Sequence, residues 1–573
     1  MNLTDEQKAI GKDNFAAAIG SEHTRRDFLK NIAATGAVSG AGLGAVYFGY
    51  EKSVGDPVRV GLIGTGDEGG VLIGAITTSY LQVVAVADIR PYNIHRIFHG
   101  DPGNKAARPG LMNRYKWKTE AEAKKNVKVY AEDYHDLLAD KDVEAVIIAL
   151  PLHLHGKVAI EAMRAGKHVM SEKLMAHSVT ECKEMARVAT ATDKLLTVGH
   201  QRHYSVLYDN AVKTIRAGLI GDIHHIRAQW HRQKDTWLKT LPAKATKDLP
   251  RYIKELASDK TKPNRRAAVE KRVKDLKLIA QDDKVDATGY GYISKKLAGG
   301  YECSALEELI RWRLWDRTGG GLMAELGSHQ LDAASIFISA LRKDGHHAMP
   351  LSVSAMGGRH LYKEDRDTDD HVYCSFEFPS PKYDEDPAKK IVVTYSSING
   401  NGFGGYGEVV LGTKGTLILS GEKEAMLFKD AKTSTSVGVV DGKKGLVLDS
   451  YETSGDVAVG QAAVTAPVSR GYTEEMEHFA WCIRNRDPEN IPRCHPKVAM
   501  ADAIIALTSN IALKYKKHIE YKKEWFDIDN NATPEMDVIP EKDRAAYAKN
   551  GINIRKPDMD PKLANYPKST PNS

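Results

Sequence analysis

Val58-Arg59-Val60-Gly61-Leu62-Ile63-Gly64-Thr65-Gly66-Asp67-Glu68-Gly69 is the stretch that decides the fold. Its first six residues read as a short buried strand, and residues 70–79 behind it read as a helix. Between them stands G-x-G-x-x-G in the strand–turn–helix setting that a dinucleotide-binding unit needs. Gly64 permits the tight turn, Gly66 lets a pyrophosphate approach the backbone, and Gly69 lets the helix pack on the strand. Thr65, Asp67 and Glu68 complete the loop, at a helix N-terminus whose amides and dipole favour an anion.

The pattern continues outward. Leu81-Gln82-Val83-Val84-Ala85-Val86-Ala87 is a second strand, ended by Asp88 and Ile89. Asp88 lies at the distance from the glycines where an acid accepts both ribose hydroxyls of NAD and repels the extra phosphate of NADP. NAD is therefore preferred over NADP, although Arg90 stands close by. Val143-Glu144-Ala145-Val146-Ile147-Ile148-Ala149-Leu150 is a buried strand ending at Pro151, residues 157–165 form a helix closed by Gly166, and His168-Val169-Met170-Ser171 is another strand ending at Glu172-Lys173. Side chains at the C-terminal ends of such strands face the cleft, which places Lys173 beside a nicotinamide ring. Ile89, Leu150 and Pro151 border the same nucleotide site.

Composition bounds the rest. The chain has 573 residues, with 81 Lys+Arg against 75 Asp+Glu, a net charge of +6. With 42% hydrophobic residues this is globular composition, and disordered, collagen-like or multi-span membrane classes are excluded. The weak positive charge argues against nucleic acid. Five scattered cysteines form neither a disulfide framework nor a metal clip. Asp365, Asp367, Asp369 and Asp370 lack the spacing of a calcium loop, and His153 and His155 lack further ligands nearby, so no metal is expected.

Near the N-terminus, Thr24-Arg25-Arg26-Asp27-Phe28-Leu29-Lys30 precedes a weakly apolar, Gly-rich run from Asn31 to Tyr50. A twin-arginine pair before such a run is a Tat-type export signal, implying a periplasmic or exported protein and a partner in the Tat machinery. The run lacks a clean cleavage site, so anchoring to the membrane stays open.

Separated motifs now make the chain resemble the Gfo/Idh/MocA oxidoreductase family. They are Ala165-Gly166-Lys167-His168-Val169 followed by Glu172-Lys173, and Pro151 with His155. Farther on come Gly319-Gly320-Gly321, then Glu325-Leu326-Gly327-Ser328-His329 with Asp332, and Gly412-Thr413-Lys414-Gly415-Thr416. The likeness covers roughly residues 57–234 and 311–525. Leu174 departs from the family's proline and Glu325 from its aspartate. The resemblance implies a Rossmann domain with a doubly wound parallel sheet, followed by an α/β domain with a large, mainly antiparallel open sheet that serves as an oligomer surface. It also implies NAD and a sugar, polyol or glycoside substrate. Lys173 would hold the alcohol oxygen, His329 would accept its proton, and Glu325, four residues earlier on one helix, would orient the imidazole or bind a hydroxyl. Pro151 and His155 join the nucleotide site, and Glu172 either joins it or is structural.

The domains are read as 1–56, a Tat-type signal and linker; 57–200, the Rossmann domain; 201–526, the substrate and oligomerisation domain; and 527–573, an extended tail. Within the third, a Lys-rich insertion at about 235–310 reads as a charged hairpin that forms a lid or a subunit contact. Arg202, His203 and Tyr204 either line the substrate cleft or begin a linking helix. Trp312 and Arg313 resemble the family's Trp-Arg, and Tyr406 lies at the end of a Gly-rich loop that reaches the site or is a plain hairpin turn. Three functions remain open. The first is a sugar oxidoreductase that keeps and recycles its nucleotide, since no NAD pool exists outside the cytoplasm. The second is a redox-neutral glycosidase, and the third is a non-catalytic sugar-binding module.

Overall fold

The computed structural model describes residues 3–22, 43–50, 54–233, 237–258, 262–342, 347–429, 436–442, 445–451 and 470–555. Six parallel strands form the N-terminal sheet: β1 (Val58–Ile63), β2 (Leu81–Ala87), β3 (Lys128–Tyr130), β4 (Ala145–Ile148), β5 (His168–Glu172) and β6 (Leu196–Gly199). Their spatial order is 3-2-1-4-5-6, with the reversal between β1 and β4. β1 and β4 are almost wholly buried, as a sheet covered on both faces demands. A ligand crevice opens outside the strand ends where the order reverses.

The second sheet has eight strands in the order β15-β14-β13-β7-β12-β11-β10-β18. In chain order they are β7 (Ile223–Arg232), β10 (Ser352–Gly358), β11 (His371–Pro379), β12 (Lys390–Asn399), β13 (Tyr406–Gly412), β14 (Gly415–Ser420), β15 (Glu424–Lys429) and β18 (Ile519–Glu520). Two short ladders, β8–β9 (Lys295–Lys296, Glu302–Cys303) and β16–β17 (Ser436–Gly442, Gly445–Tyr451), stand apart. Only β7 and β12 pair in parallel, and the other pairings are antiparallel. In β11, Val372, Cys374, Phe376 and Phe378 point into the core while Tyr373 and Ser375 face out, which is the alternation of a half-exposed sheet. Helices Ser328–Ser339 and Pro496–Tyr515 pack on the inner face, and the five cysteines are free and buried.

The insertion folds as a hairpin of helices Pro242–Leu256 and Pro263–Ala280, then a turn at Gln281–Lys284. It lies over the crevice of the first sheet. Tyr92 packs in one small cluster with Ala245, Leu276 and Ile279, while Ile89 packs in another with Tyr292 and Leu309.

The twin-arginine motif at Thr24–Lys30 lies outside the described residues. The segments on either side of it pack on the body. Helix Asp5–Glu22 runs along β15, so close that a Cβ on Gly11 would meet Met426 Cβ at 2.7 Å. Helix Leu43–Phe48 lies against helix Tyr472–Arg484; Tyr50 is buried there, and Arg493 stacks over Phe48 at 4.5 Å. At the other end, Lys183 Nζ donates to the carbonyls of Glu524, Asn530 and Ala532, fastening the C-terminal stretch to helix Val179–Ala191.

Candidate active site

The crevice is a cavity of about 710 Å³. Gly64, Gly66, Asp67, Asp88, Ile89, Leu150 and Pro151 line it from the sheet side, and Lys239, Arg272, Tyr290 and Tyr292 from the insertion. The glycine loop fits a pyrophosphate. Gly64 has φ +92°, and a Cβ there would strike Ala149 O at 2.4 Å. A Cβ on Gly69 would strike Gly64 O at 2.3 Å, whereas Gly66 meets nothing closer than Asn93 Nδ2 at 3.8 Å and opens on the cavity. Thr65 holds the acid in place, its amide donating to Asp88 Oδ2 at 2.8 Å and its hydroxyl at 3.1 Å. Gly66→Val should therefore leave the fold intact and lower nucleotide affinity by about a hundredfold, because a branched side chain would occupy the approach to the pyrophosphate. Calorimetric titration with NAD checks this.

Asp67 bonds to Arg96 at 2.7 Å and to Lys239 of the insertion at 2.6 Å. Burial opposes its ionisation, but Arg96, Lys239 and Arg108 outweigh burial and hold the carboxyl well below the usual range. Glu68 turns the other way, toward Arg313, Lys173 and Glu325, and burial pushes its carboxyl up.

Lys173 follows β5, and its Nζ donates to Glu325 O at 2.6 Å. The Lys173–Leu174 peptide bond is cis. Arg313 Nε donates to Glu325 Oε1 at 2.8 Å, and Arg313 stacks on Trp312 at 4.1 Å, so both residues of the Trp-Arg pair meet the site. Burial raises the Glu325 carboxyl, yet Arg313, Lys173 and Arg232 together bring it below its ordinary value. Burial pushes the His329 imidazole well below its usual range, and the charges on Lys173, Arg202, His200 and Arg232 add to that. Its Nδ1 has no hydrogen-bond partner among the described residues. The ring lies 5.3 Å from that of Trp230, which stacks on Tyr406 at 4.4 Å. A neutral base, a lysine donor and an ionised carboxylate thus converge at the strand ends.

Glu325 and His329 do not share one regular α-helix as expected. Met323–Gly327 is a π-helical turn that precedes helix Ser328–Ser339, and such wide turns recur at functional sites. Glu172 is buried: one oxygen accepts from the Lys173 amide at 3.2 Å, and burial together with Glu68 pushes its carboxyl up. His155 does not line the crevice; its ring nitrogens bond the carbonyls of Leu174 and Leu150, at 2.8 and 2.9 Å, bracing the two strand ends.

Two expected substrate residues lie elsewhere. Arg202 is buried in ion pairs with Glu422 at 2.9 Å and Glu408 at 3.5 Å, and it also donates to His329 O. Tyr204 is wholly buried, accepting from Arg493 N at 2.7 Å and lying edge-on to Phe48. Local sequence there fits a cleft lining or the start of a linking helix, but the acids that consume Arg202 come from β13 and the turn after β14, some two hundred residues away. His203 pairs with Asp332 at 2.8 Å. Sequence reasoning missed Arg232, which ends β7 over Trp230 and Trp237; an arginine closing an alternating aromatic strand was the available signal.

Away from the crevice, His95, His99 and Glu120 bring their ligand atoms within 4.8 Å of one another, with Glu120 already paired to Lys124 at 2.7 Å.

The Gfo/Idh/MocA family model, described as an oxidoreductase family with an NAD-binding Rossmann fold, matches residues 58–200. Residues 58–200 thus carry an NAD-binding Rossmann fold. Beyond that domain the likenesses are partial. A glycosyl hydrolase family 109 protein of Solibacter usitatus is 28% identical over 214 residues, 35% of this chain and 44% of that protein. Inositol 2-dehydrogenase 1 of Saccharopolyspora erythraea is 31% identical over 168 residues, 29% of this chain and 43% of that enzyme. The chain thus spans under half the length of these curated relatives. Among solved structures, scyllo-inositol dehydrogenase from Lactobacillus casei with NAD(H) and scyllo-inositol aligns with a TM-score of 0.47 and 14% identity, covering 81% of this chain and 99% of that one.

Proposed function

We propose that this chain is an exported NAD-dependent oxidoreductase acting on a sugar, polyol or glycoside hydroxyl, and that it keeps and recycles its nucleotide. The observation that carries the reading is the Lys173 ammonium beside a His329 imidazole whose pKa burial depresses and whose Nδ1 has no hydrogen-bond partner among the described residues, at the strand ends of an NAD-binding domain. NAD bound in the crevice would supply the two-electron acceptor. His329 takes the hydroxyl proton as a neutral base. Lys173, with the cation Arg232 also near Glu325 and His329, stabilises the charge that develops on the oxygen. Glu325, kept ionised by Arg313, accepts from a neighbouring hydroxyl of the substrate, and the Trp230–Tyr406 stack gives the pocket an apolar wall. The twin-arginine motif supports export, and the insertion that roofs the crevice supports retention of the nucleotide. The exposed Met356, Tyr373 and Val392 on the open sheet support association with a second copy.

A redox-neutral glycosidase is the second reading, favoured by the likeness to a glycosyl hydrolase family 109 protein. It needs a further base at the carbon beside a transient ketone. Of Tyr204, His203 and Tyr406, the first is buried elsewhere and the second is paired with Asp332; Tyr406, whose hydroxyl donates to Gly421 O at 2.9 Å, is the one stacked on Trp230 beside His329.

The test is to purify the protein without added cofactor, denature it and quantify the released nucleotides. Near-stoichiometric NAD is expected. Aglycone release from a glycoside panel without added NAD would then select the glycosidase, and a stable keto-sugar product the oxidoreductase. Protein that arrives empty and binds no added NAD would leave only a binding module.

A further inference from the structure

Arg90 is a feature of the nucleotide site that argues for NADP. It follows Asp88 by two residues and lines the crevice, where an arginine accommodates a 2′-phosphate. In this structure its guanidinium is already engaged. Arg90 Nε donates to Asp282 Oδ2 at 2.9 Å, and the Asp282 side chain has no exposed surface. The other oxygen of Asp282 accepts from the Tyr92 amide at 3.0 Å, so the carboxylate is fixed at both ends. Asp282 belongs to the turn Gln281–Lys284 that closes the helical hairpin of the insertion. The same hairpin bonds Tyr92 again, through Asp275, at 3.1 Å.

Asp88 is equally constrained. Its Oδ2 accepts from Thr65 and, at 3.1 Å, from Asn93; its Oδ1 accepts from the Arg90 amide at 2.9 Å. Two carboxylates therefore flank Arg90, one from the Rossmann strand and one from the insertion. A ribose with free hydroxyls can donate to Asp88. A 2′-phosphate would meet two anions and a guanidinium that is already paired, and breaking a buried ion pair leaves an uncompensated charge.

We propose that Asp282, supplied by the insertion, is a specificity-determining residue: by engaging Arg90 it withholds that guanidinium from a 2′-phosphate and sets NAD over NADP. The proposal rests on the reading that the crevice takes a nicotinamide dinucleotide. It gives the insertion a second role besides covering the cleft.

The test measures binding, not turnover. Full-length protein stripped of nucleotide is titrated with NAD and with NADP, following intrinsic tryptophan fluorescence. Wild type should favour NAD. Asp282→Asn keeps an acceptor for the Tyr92 amide but removes the charge that holds Arg90. It should bind NADP about tenfold to a hundredfold more tightly, the size of one charge-assisted hydrogen bond, with NAD affinity little changed. Arg90→Ala in the Asp282→Asn background should erase that gain. If Asp282→Asn does not fold, Asp282→Ser asks the same question. A folded Asp282 variant with the wild-type NAD-to-NADP ratio overturns the proposal, as does a gain that survives loss of Arg90. Wild type that binds neither nucleotide overturns the cofactor reading itself, and the proposal with it.

Discussion

Lys173→Met should lower turnover by about 10²–10³ while leaving the nucleotide content of the purified protein unchanged. The two readouts separate because Lys173 stands beyond the 710 Å³ crevice, on the side of Glu325 and His329. Methionine keeps most of the apolar stem and removes the ammonium. Removing one preorganised donor from a developing oxyanion costs about 10²–10³ in kcat. His329→Ala should cost about 10²–10⁴ as the loss of a general base. The double variant should be scarcely worse than either single one, since the two groups act on one proton and one oxygen. Because burial and the surrounding cations push the imidazole well below its usual range, the acid limb of the rate profile should fall well below that range too. Steady-state rates across pH, with nucleotide released from the same samples, check all of this. A Lys173→Met enzyme that turns over at the wild-type rate would remove the lysine from the chemistry.

How much of this was legible beforehand follows from the range of the interactions. The six parallel strands and the crevice are local matters. Strand, glycine turn, helix and the spaced Asp88 are all encoded within thirty-odd residues of one another, and each strand announces itself by a continuous apolar run. The pairing of Glu325 with Arg313 is nearly as local. Arg202 and Tyr204 are the opposite case. Gly199-His200-Gln201-Arg202-His203-Tyr204 has the composition of a cleft lining, and nothing within the stretch shows that Glu408 and Glu422 arrive from β13 and from the turn after β14. Asp282 was hidden for a related reason. In a Lys-rich insertion with interspersed acids, one aspartate looks like any other solvated charge. Its burial depends on the hairpin lying across helix Pro91–His99, a contact between distant segments. The weakly apolar run after the twin-arginine motif has the composition of a Tat-type signal, and two of its residues, Ala45 and Tyr50, are buried in the core.

Arg202→Leu puts the corrected placement to the test, because the two roles predict different losses. A substrate-binding arginine would cost activity and spare stability. A buried structural cation should cost stability first. Leucine fills part of the volume but leaves two carboxylates, Glu408 at 1% exposure and Glu422 at 2%, without their shared counter-ion. Stranding a buried charge in this way costs about 3–5 kcal/mol, of which Glu422 recovers a part through Arg470 at 2.6 Å. Glu408 is already pushed up to about 7, chiefly by burial against the pull of Arg202, so without the arginine it should stay protonated at neutral pH. The sign of the pH dependence follows. A carboxyl whose folded pKa lies above its unfolded value favours the native state at low pH and penalises it as pH rises toward the folded pKa. Raising the pKa of Glu408 further, and releasing that of Glu422 from below its ordinary value, should therefore make the stability deficit of Arg202→Leu small near pH 5 and largest above pH 7. Adding Glu422→Gln should restore several degrees of the lost melting temperature, because an amide needs no counter-ion. Thermal unfolding of the three proteins at pH 5 and pH 8 checks the argument. An Arg202→Leu protein with wild-type melting temperature and no activity would return this arginine to the substrate.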